Sequence, residues 1–110
     1  QLIRAADAVA VPSLLDNLPM TACEAQATGR PVVSFDVGGL ADTSVHDSTG
    51  YLAQACDVAD FAHGLIRAIE DSRSSNCWGK AAREFALDKW QPSSVVPRYL
   101  SLYEKILDVA

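Results

Sequence analysis

Residues Ala8-Val9-Ala10-Val11-Pro12-Ser13-Leu14-Leu15-Asp16-Asn17-Leu18-Pro19-Met20-Thr21-Ala22-Cys23-Glu24-Ala25 read as a strand, a loop and the start of a helix. The apolar run Ala8–Val11, closed by Pro12-Ser13, suits a strand buried on both faces. Pro19 fits the first turn of a helix, where its missing N–H costs nothing. Gly29 and Pro31 then stop that helix near Thr28. Met20, Cys23 and Ala27 share one helical face, and Thr21, Glu24 and Thr28 another. Asp16 lies before the helix start and Glu24 about one turn inside it. The first N–H groups of the helix lack partners within it. With the positive end of the helix dipole, they favour an anion such as phosphate. A carboxylate accepts hydrogen bonds from two neighbouring hydroxyls, so phosphate flanked by hydroxyl-bearing rings describes a nucleotide sugar.

Outward from this stretch, strands and helices alternate. Pro31–Phe35 reads as a second buried strand ending in the turn Asp36-Val37-Gly38-Gly39, and Gly50–Ala53 as a third. A helix is predicted from Asp57 to Asp71, with Asp57 as N-cap, Asp60 in the first turn and an apolar stripe of Val58, Phe61, Ala62, Leu65 and Ile69. Another runs from Ser75 to about Lys89, with Ala81, Phe85 and Trp78 inward. After Gln91-Pro92 a last helix starts at Ser93 or Ser94, with Pro97 in its first turn and Val95, Tyr99, Leu102, Tyr103 and Ile106 on its apolar face. Alternation of this kind predicts an α/β fold, a parallel sheet with crossovers and flanking helices. Ligands gather at the carboxyl ends of such strands, where both the Asp16 loop and the Gly38-Gly39 turn sit. The glycine pair either permits a tight turn or contacts the ligand.

Composition bounds the rest. The 110 residues suffice for one small domain, and a hydrophobic fraction of 49% supports a packed core. No apolar run approaches the ~20 residues that span a bilayer. The start Gln1-Leu2-Ile3-Arg4 has no signal-peptide layout and reads as a cut inside a longer protein. A net charge of -5 disfavours nucleic acid as the main partner. Cys23, Cys56 and Cys77 show no metal or disulfide spacing and read as reduced, partly buried thiols. His46 and His63 have no partner at ligand spacing, so no metal is implied. Arg30, Arg67, Lys80 and Arg83 are placed by no motif.

The combined pattern resembles the retaining glycosyltransferases of family 4: Pro12-Ser13, a carboxylate at Asp16, seven intervening residues, Glu24-Ala25, Gly29, Pro31-Val32-Val33 and Gly38-Gly39. The likeness continues through Thr49-Gly50-Tyr51-Leu52 and Tyr103-Glu104-Lys105. The resemblance implies the GT-B architecture, two Rossmann-like domains about a cleft. Residues 1–110 are then one partial Rossmann-like domain, the later part of the C-terminal donor-binding domain. It implies that Asp16 is the catalytic carboxylate beside the transferred sugar and that Glu24 holds the ribose hydroxyls. Met20 and Thr21 stand where backbone amides meet the pyrophosphate, and Asn17 and Leu18 line the loop. The family usually has Glu where Asp16 stands, and often Gly where Pro19 stands. The Asp-Asn-Leu-Pro form is similar to a subgroup linked to exopolysaccharide and lipopolysaccharide-type sugar transfer.

The resemblance further implies a cytoplasmic enzyme, peripheral at the inner membrane face when full length. Such an enzyme moves a sugar from a nucleotide-sugar donor to a saccharide or lipid-linked acceptor, in polysaccharide or glycolipid biosynthesis. The acceptor is held by a missing N-terminal domain, and no cofactor or metal is implied. The piece alone is expected to be inactive and prone to self-association. A non-catalytic Rossmann-like nucleotide- or partner-binding module, or a nucleotide-sugar epimerase, are the alternatives.

Overall fold

A computed structural model describes residues 1–109. In chain order the elements are α1 (Leu2–Ala5), β1 (Val9–Val11), α2 (Met20–Ala27), β2 (Val32–Phe35), a 3-10 turn (Gly38–Asp42), β3 (Gly50–Ala53), α3 (Val58–Arg73), α4 (Cys77–Trp90) and α5 (Pro92–Val109). The strands form one parallel sheet in the order β1-β2-β3, so the expected α/β architecture with flanking helices is observed.

β2 is the central strand, and all four of its residues are buried. Side chains alternate across a strand, and β2 divides accordingly. Val33 and Phe35 join Tyr51, Ala53, Ala68 and Trp78 on the side covered by α3 and α4. Val32 joins Val11, Ala22, Ala25 and Leu40 on the side covered by α2 and the 3-10 turn. Register is fixed by Val9 opposite Val32 and by Val33 opposite Tyr51.

Several expectations are corrected. β1 is not buried on both faces: Val11 is buried, but Val9 is half-buried and Ala10 exposed. The physical reason is its place at the edge of this sheet. The connection from β2 to β3, read from the sequence only as a turn, carries a 3-10 helix at Gly38–Asp42. Pro19 is the N-cap of α2, not its first helical residue. The buried face of α2 is Ala22, Ala25 and Gln26, neither of the two faces read from the sequence. Two alanines and a glutamine give no apolar periodicity to read.

α3 starts where expected, with the Asp57 carboxylate accepting the Asp60 N–H at 3.0 Å. Its buried face, however, centres on Gly64 and Ala68, with Phe61 and Leu65 half-buried, while Val58, Ala62 and Ile69 are exposed. The large Tyr51 and Trp78 occupy the interface, so α3 approaches through its smallest residues. A Cβ at Gly64 would run into the Tyr51 ring. α4 buries Trp78, Gly79, Ala82 and Ala86, leaving Ala81 and Phe85 half-buried.

α5 begins at Pro92, ahead of both serines, because proline is well suited to the first helical position. Pro97 therefore falls inside the helix rather than in its first turn. The predicted face of α5 is largely uncovered, with Tyr99, Leu102, Tyr103 and Ile106 all exposed. Of the three free cysteines only Cys23 is partly buried, against the expectation for all three. Among the described residues no helix is long and apolar enough to cross a membrane.

Candidate functional site

The β1–α2 loop leaves the carboxyl end of β1 and delivers the chain to the tip of α2. Pro19, at φ -69 and ψ 126, ends the loop in extended geometry and has no side chain able to cap the helix. Its carbonyl accepts the N–H groups of Ala22 at 3.1 Å and Cys23 at 3.3 Å. The amides of Met20 and Thr21 precede these and belong to the first turn, whose donors have no intrahelical acceptor. No acid stands in that turn and no side chain caps it. The tip of α2 is therefore open, with donors and the positive dipole end facing outward.

The glycine turn is locked to this loop. The Gly39 N–H donates to the Asp16 carbonyl at 2.9 Å. A Cβ on Gly39 would overlap the Asn17 carbonyl, and one on Gly38 would overlap that of Asp16. Gly38 also adopts φ +51, the left-handed region open to glycine. The pair thus has a structural role: it brings the turn after β2 against the backbone of Asp16 and Asn17.

The site residues named from the sequence fall in three places. Asp16 and Asn17 are joined to Gly38 and Gly39 by the contacts just described. Leu18, Met20 and Thr21 continue from that loop into the helix tip and are exposed. Glu24, also exposed, lies one turn further along α2, on an apolar groove of about 220 Å³ shared with Cys23, Ala27, Leu87 and Trp90. Among the described residues neither the Asp16 nor the Glu24 carboxylate is hydrogen-bonded or ion-paired. Around them Leu14, Leu15 and Met20 are exposed, Leu15 at 87%. The loop and the start of α2 thus present an uncapped helix end and several large apolar side chains to solvent.

Burial raises the Cys23 thiol above its ordinary range, helped by the nearby Glu24 charge and opposed by a backbone hydrogen bond, so it stays protonated at neutral pH. Among the described residues no group of three His, Cys, Asp or Glu is placed to hold a metal ion.

The sequence reading missed two features. Gln26, fully buried, donates from Nε2 to the Thr43 carbonyl and ties α2 to the segment after the 3-10 turn. A polar residue among small ones gave no sign of this. The basic residues Arg4, Arg30, Lys80 and Arg83 meet around one cavity. Their separation along the chain hid it.

Comparisons with known proteins bear on the family and the fold. A family model described as Glycosyl transferases group 1 matches residues 1–85. The D-inositol 3-phosphate glycosyltransferase of Nocardia farcinica is 50% identical over 72 residues, 64% of this chain and 16% of that protein. The N-acetyl-alpha-D-glucosaminyl L-malate synthase of Bacillus anthracis is 26% identical over 107 residues, 97% of this chain and 28% of that protein. The chain thus spans less than a third of these relatives' length. Sucrose-phosphate synthase from Thermosynechococcus elongatus matches 99% of this chain and 27% of its own, with a TM-score of 0.86 at 28% identity. A TarM variant from S. aureus, solved with fondaparinux, alpha-GlcNAc-glycerol and UDP, shares the fold. Its TM-score is 0.81 at 24% identity, over 93% of this chain and 21% of its own.

Proposed function

The chain belongs to the group 1 glycosyl transferases, and from that premise we propose that it forms part of the donor-binding domain of a retaining family 4 enzyme. The donor is a nucleotide sugar and the acceptor hydroxyl belongs to a saccharide or lipid-linked molecule held by a second domain. The product serves polysaccharide or glycolipid biosynthesis in the cytoplasm, at the inner membrane face.

The observation that carries this reading is the uncapped tip of α2, flanked in sequence by Asp16 and Glu24, whose carboxylates have no partner among the described residues. In the proposed complex the amides of Met20 and Thr21 bind the diphosphate. As the sugar leaves, negative charge grows on that diphosphate, and the fixed helix tip stabilises it. Positive charge grows on the anomeric carbon, where the Asp16 carboxylate opposes it. Asp16 is held for this by the Gly39 N–H on its own carbonyl. Glu24 accepts from the ribose hydroxyls, one turn away. Asn17 and Leu18 shape the loop between, and the exposed leucines mark the face that a second domain covers. No metal or other cofactor takes part in this scheme.

The test is titration of the 110-residue chain with UDP, GDP and ADP sugars, followed by amide chemical shifts. One nucleotide should move the Met20 and Thr21 amides, weakly and saturably, and Glu24→Ala should weaken that binding at least ~10-fold, the loss of one or two hydrogen bonds to a charged group. Sugar transfer is expected only from a protein carrying both domains. Saturable binding unaffected by Glu24→Ala would remove the ribose role, and shifts remote from α2 would remove the site.

A further inference from the structure

Four of the chain's nine Lys and Arg residues line a single cavity of about 620 Å³. Arg4 comes from the end of α1, Arg30 from the turn after α2, and Lys80 and Arg83 from α4. Glu84 is the one carboxylate in its wall. The three ion pairs among the described residues lie elsewhere, on His46, Arg67 and Arg73, so none of the four cations is paired. This gathering occurs in a chain of net charge -5, where acids to neutralise it are plentiful.

Two of the guanidinium groups are held in place by backbone. Arg30 donates from Nη2 to the Arg4 carbonyl at 2.7 Å, and Arg83 donates to the Ala27 carbonyl. Each guanidinium has five donors, so most remain free. Arg30 Nε is buried without a partner. The side chains of Arg4 and Lys80 make no hydrogen bond among the described residues. The carbonyl end of α2 offers about half a negative charge here, too little to offset four cations. The first turn of α4 runs along the same wall, adding the positive end of its dipole.

We propose that this cavity binds a small phosphate-type anion at a site separate from the tip of α2. α2 has eight residues, so its two ends stand ~12 Å apart at the ordinary helical rise. The ligand chemistry is set by the donors: fixed guanidinium forks match phosphate oxygens, and Lys80 supplies a mobile point charge.

The experiment is a titration of the 110-residue chain with inorganic phosphate and inorganic diphosphate at constant ionic strength, followed by amide shifts. Saturable shifts are expected at Gly29, Arg30, Gly79 and Lys80. The double variant Arg4→Gln, Lys80→Gln should bind at least ~10-fold more weakly, while Arg4→Lys retains binding. Both side chains are exposed, and thermal melting verifies that the double variant is folded. Equal affinity in that variant, shifts confined to Met20–Cys23, or no saturable shift would overturn the proposal. Failure of the nucleotide site would instead show in Met20 and Thr21 alone, so the two readings fail separately.

Discussion

Replacing Gly39 with Ala tests how the site is held. Its Cβ would overlap the Asn17 carbonyl, a backbone atom with no rotamer to yield. Ordinary contact distance requires the loop to retreat by on the order of 2 Å. That movement breaks the Gly39 N–H bond to the Asp16 carbonyl, now 2.9 Å, a loss of about 1 kcal/mol. Overpacking adds about 1–3 kcal/mol, and the stiffer unfolded chain returns about 0.4–1 kcal/mol. The net destabilisation is about 2 kcal/mol, a fall in Tm of about 8–16 °C for a domain of this size. Circular dichroism melts measure it. The same variant should shift the amides of Asp16 to Leu18 and weaken nucleotide-sugar binding, because the loop carrying the carboxylate has moved. A Tm within ~2 °C of the parent, with shifts confined to residue 39 and its chain neighbours, would refute the reasoning.

Gly64→Ala should also destabilise. The new methyl meets the Tyr51 ring, and about 3 kcal/mol of overpacking outweighs the ~1 kcal/mol gained in helix propensity. An unchanged melting curve would mean that α3 slides freely on β3. Asp60 accepts from Tyr51 Oη at 2.6 Å and from the Gln54 N–H at 2.7 Å, and these bonds, in that order, lower its carboxyl pKa. A group lowered on folding stabilises above its unfolded pKa, near 4. That contribution is lost as pH falls through the lowered value. The stability gap between the parent and Asp60→Asn should therefore be full at neutral pH and close in acid; a gap independent of pH would exclude the linkage. The same bond, with burial and the Asp60 charge, raises the Tyr51 phenol above its ordinary value. Ultraviolet titration should show one tyrosine ionising late in the parent and earlier in Asp60→Asn.

The β-strands were legible because β2, opened by Val32-Val33, is a short run buried on both sides, and Pro31 and Gly50 mark where β2 and β3 start. The extent of α2 was legible because Pro19, lacking an N–H, suits a helix start and Gly29, at φ +75, ends the helix. The Gly29 N–H to Gln26 carbonyl and Arg30 N–H to Ala25 carbonyl bonds, both 2.9 Å, close that end in a Schellman motif. Faces were less legible than elements. α3 packs through Gly64 and Ala68 because bulk comes from Tyr51 and Trp78, so of the predicted stripe only Phe61 and Leu65 reach the core while Val58, Ala62 and Ile69 stay in water. The cationic cavity was invisible for a different reason. Arg4, Arg30 and Lys80 become neighbours only after α1, α2 and α4 have been assembled.

The weakness of α2 as an isolated helix bears on how its tip can act. Eight residues are too few to hold a helix in water alone, and its buried side is mostly alanine. Its placement must come from elsewhere. Ala22 and Ala25 allow close approach to β1 and β2. Gln26, in its last turn, donates to the Thr43 carbonyl, and the Arg83 guanidinium takes the Ala27 carbonyl at the same end. Neither polar anchor lies in the first turn, where the amides of Met20 and Thr21 have no intrahelical acceptor and no side-chain cap. Exposed amides at such a tip are met by water, and a ligand that replaces the water finds the donors already aligned. In the proposed complex a diphosphate replaces that water, and because α2 is packed on the sheet and pinned at its far end, its amides need not reorganise as charge develops on the departing group. The helix is thus weak by itself and rigid in place, and both properties trace to the same choice of small and polar residues.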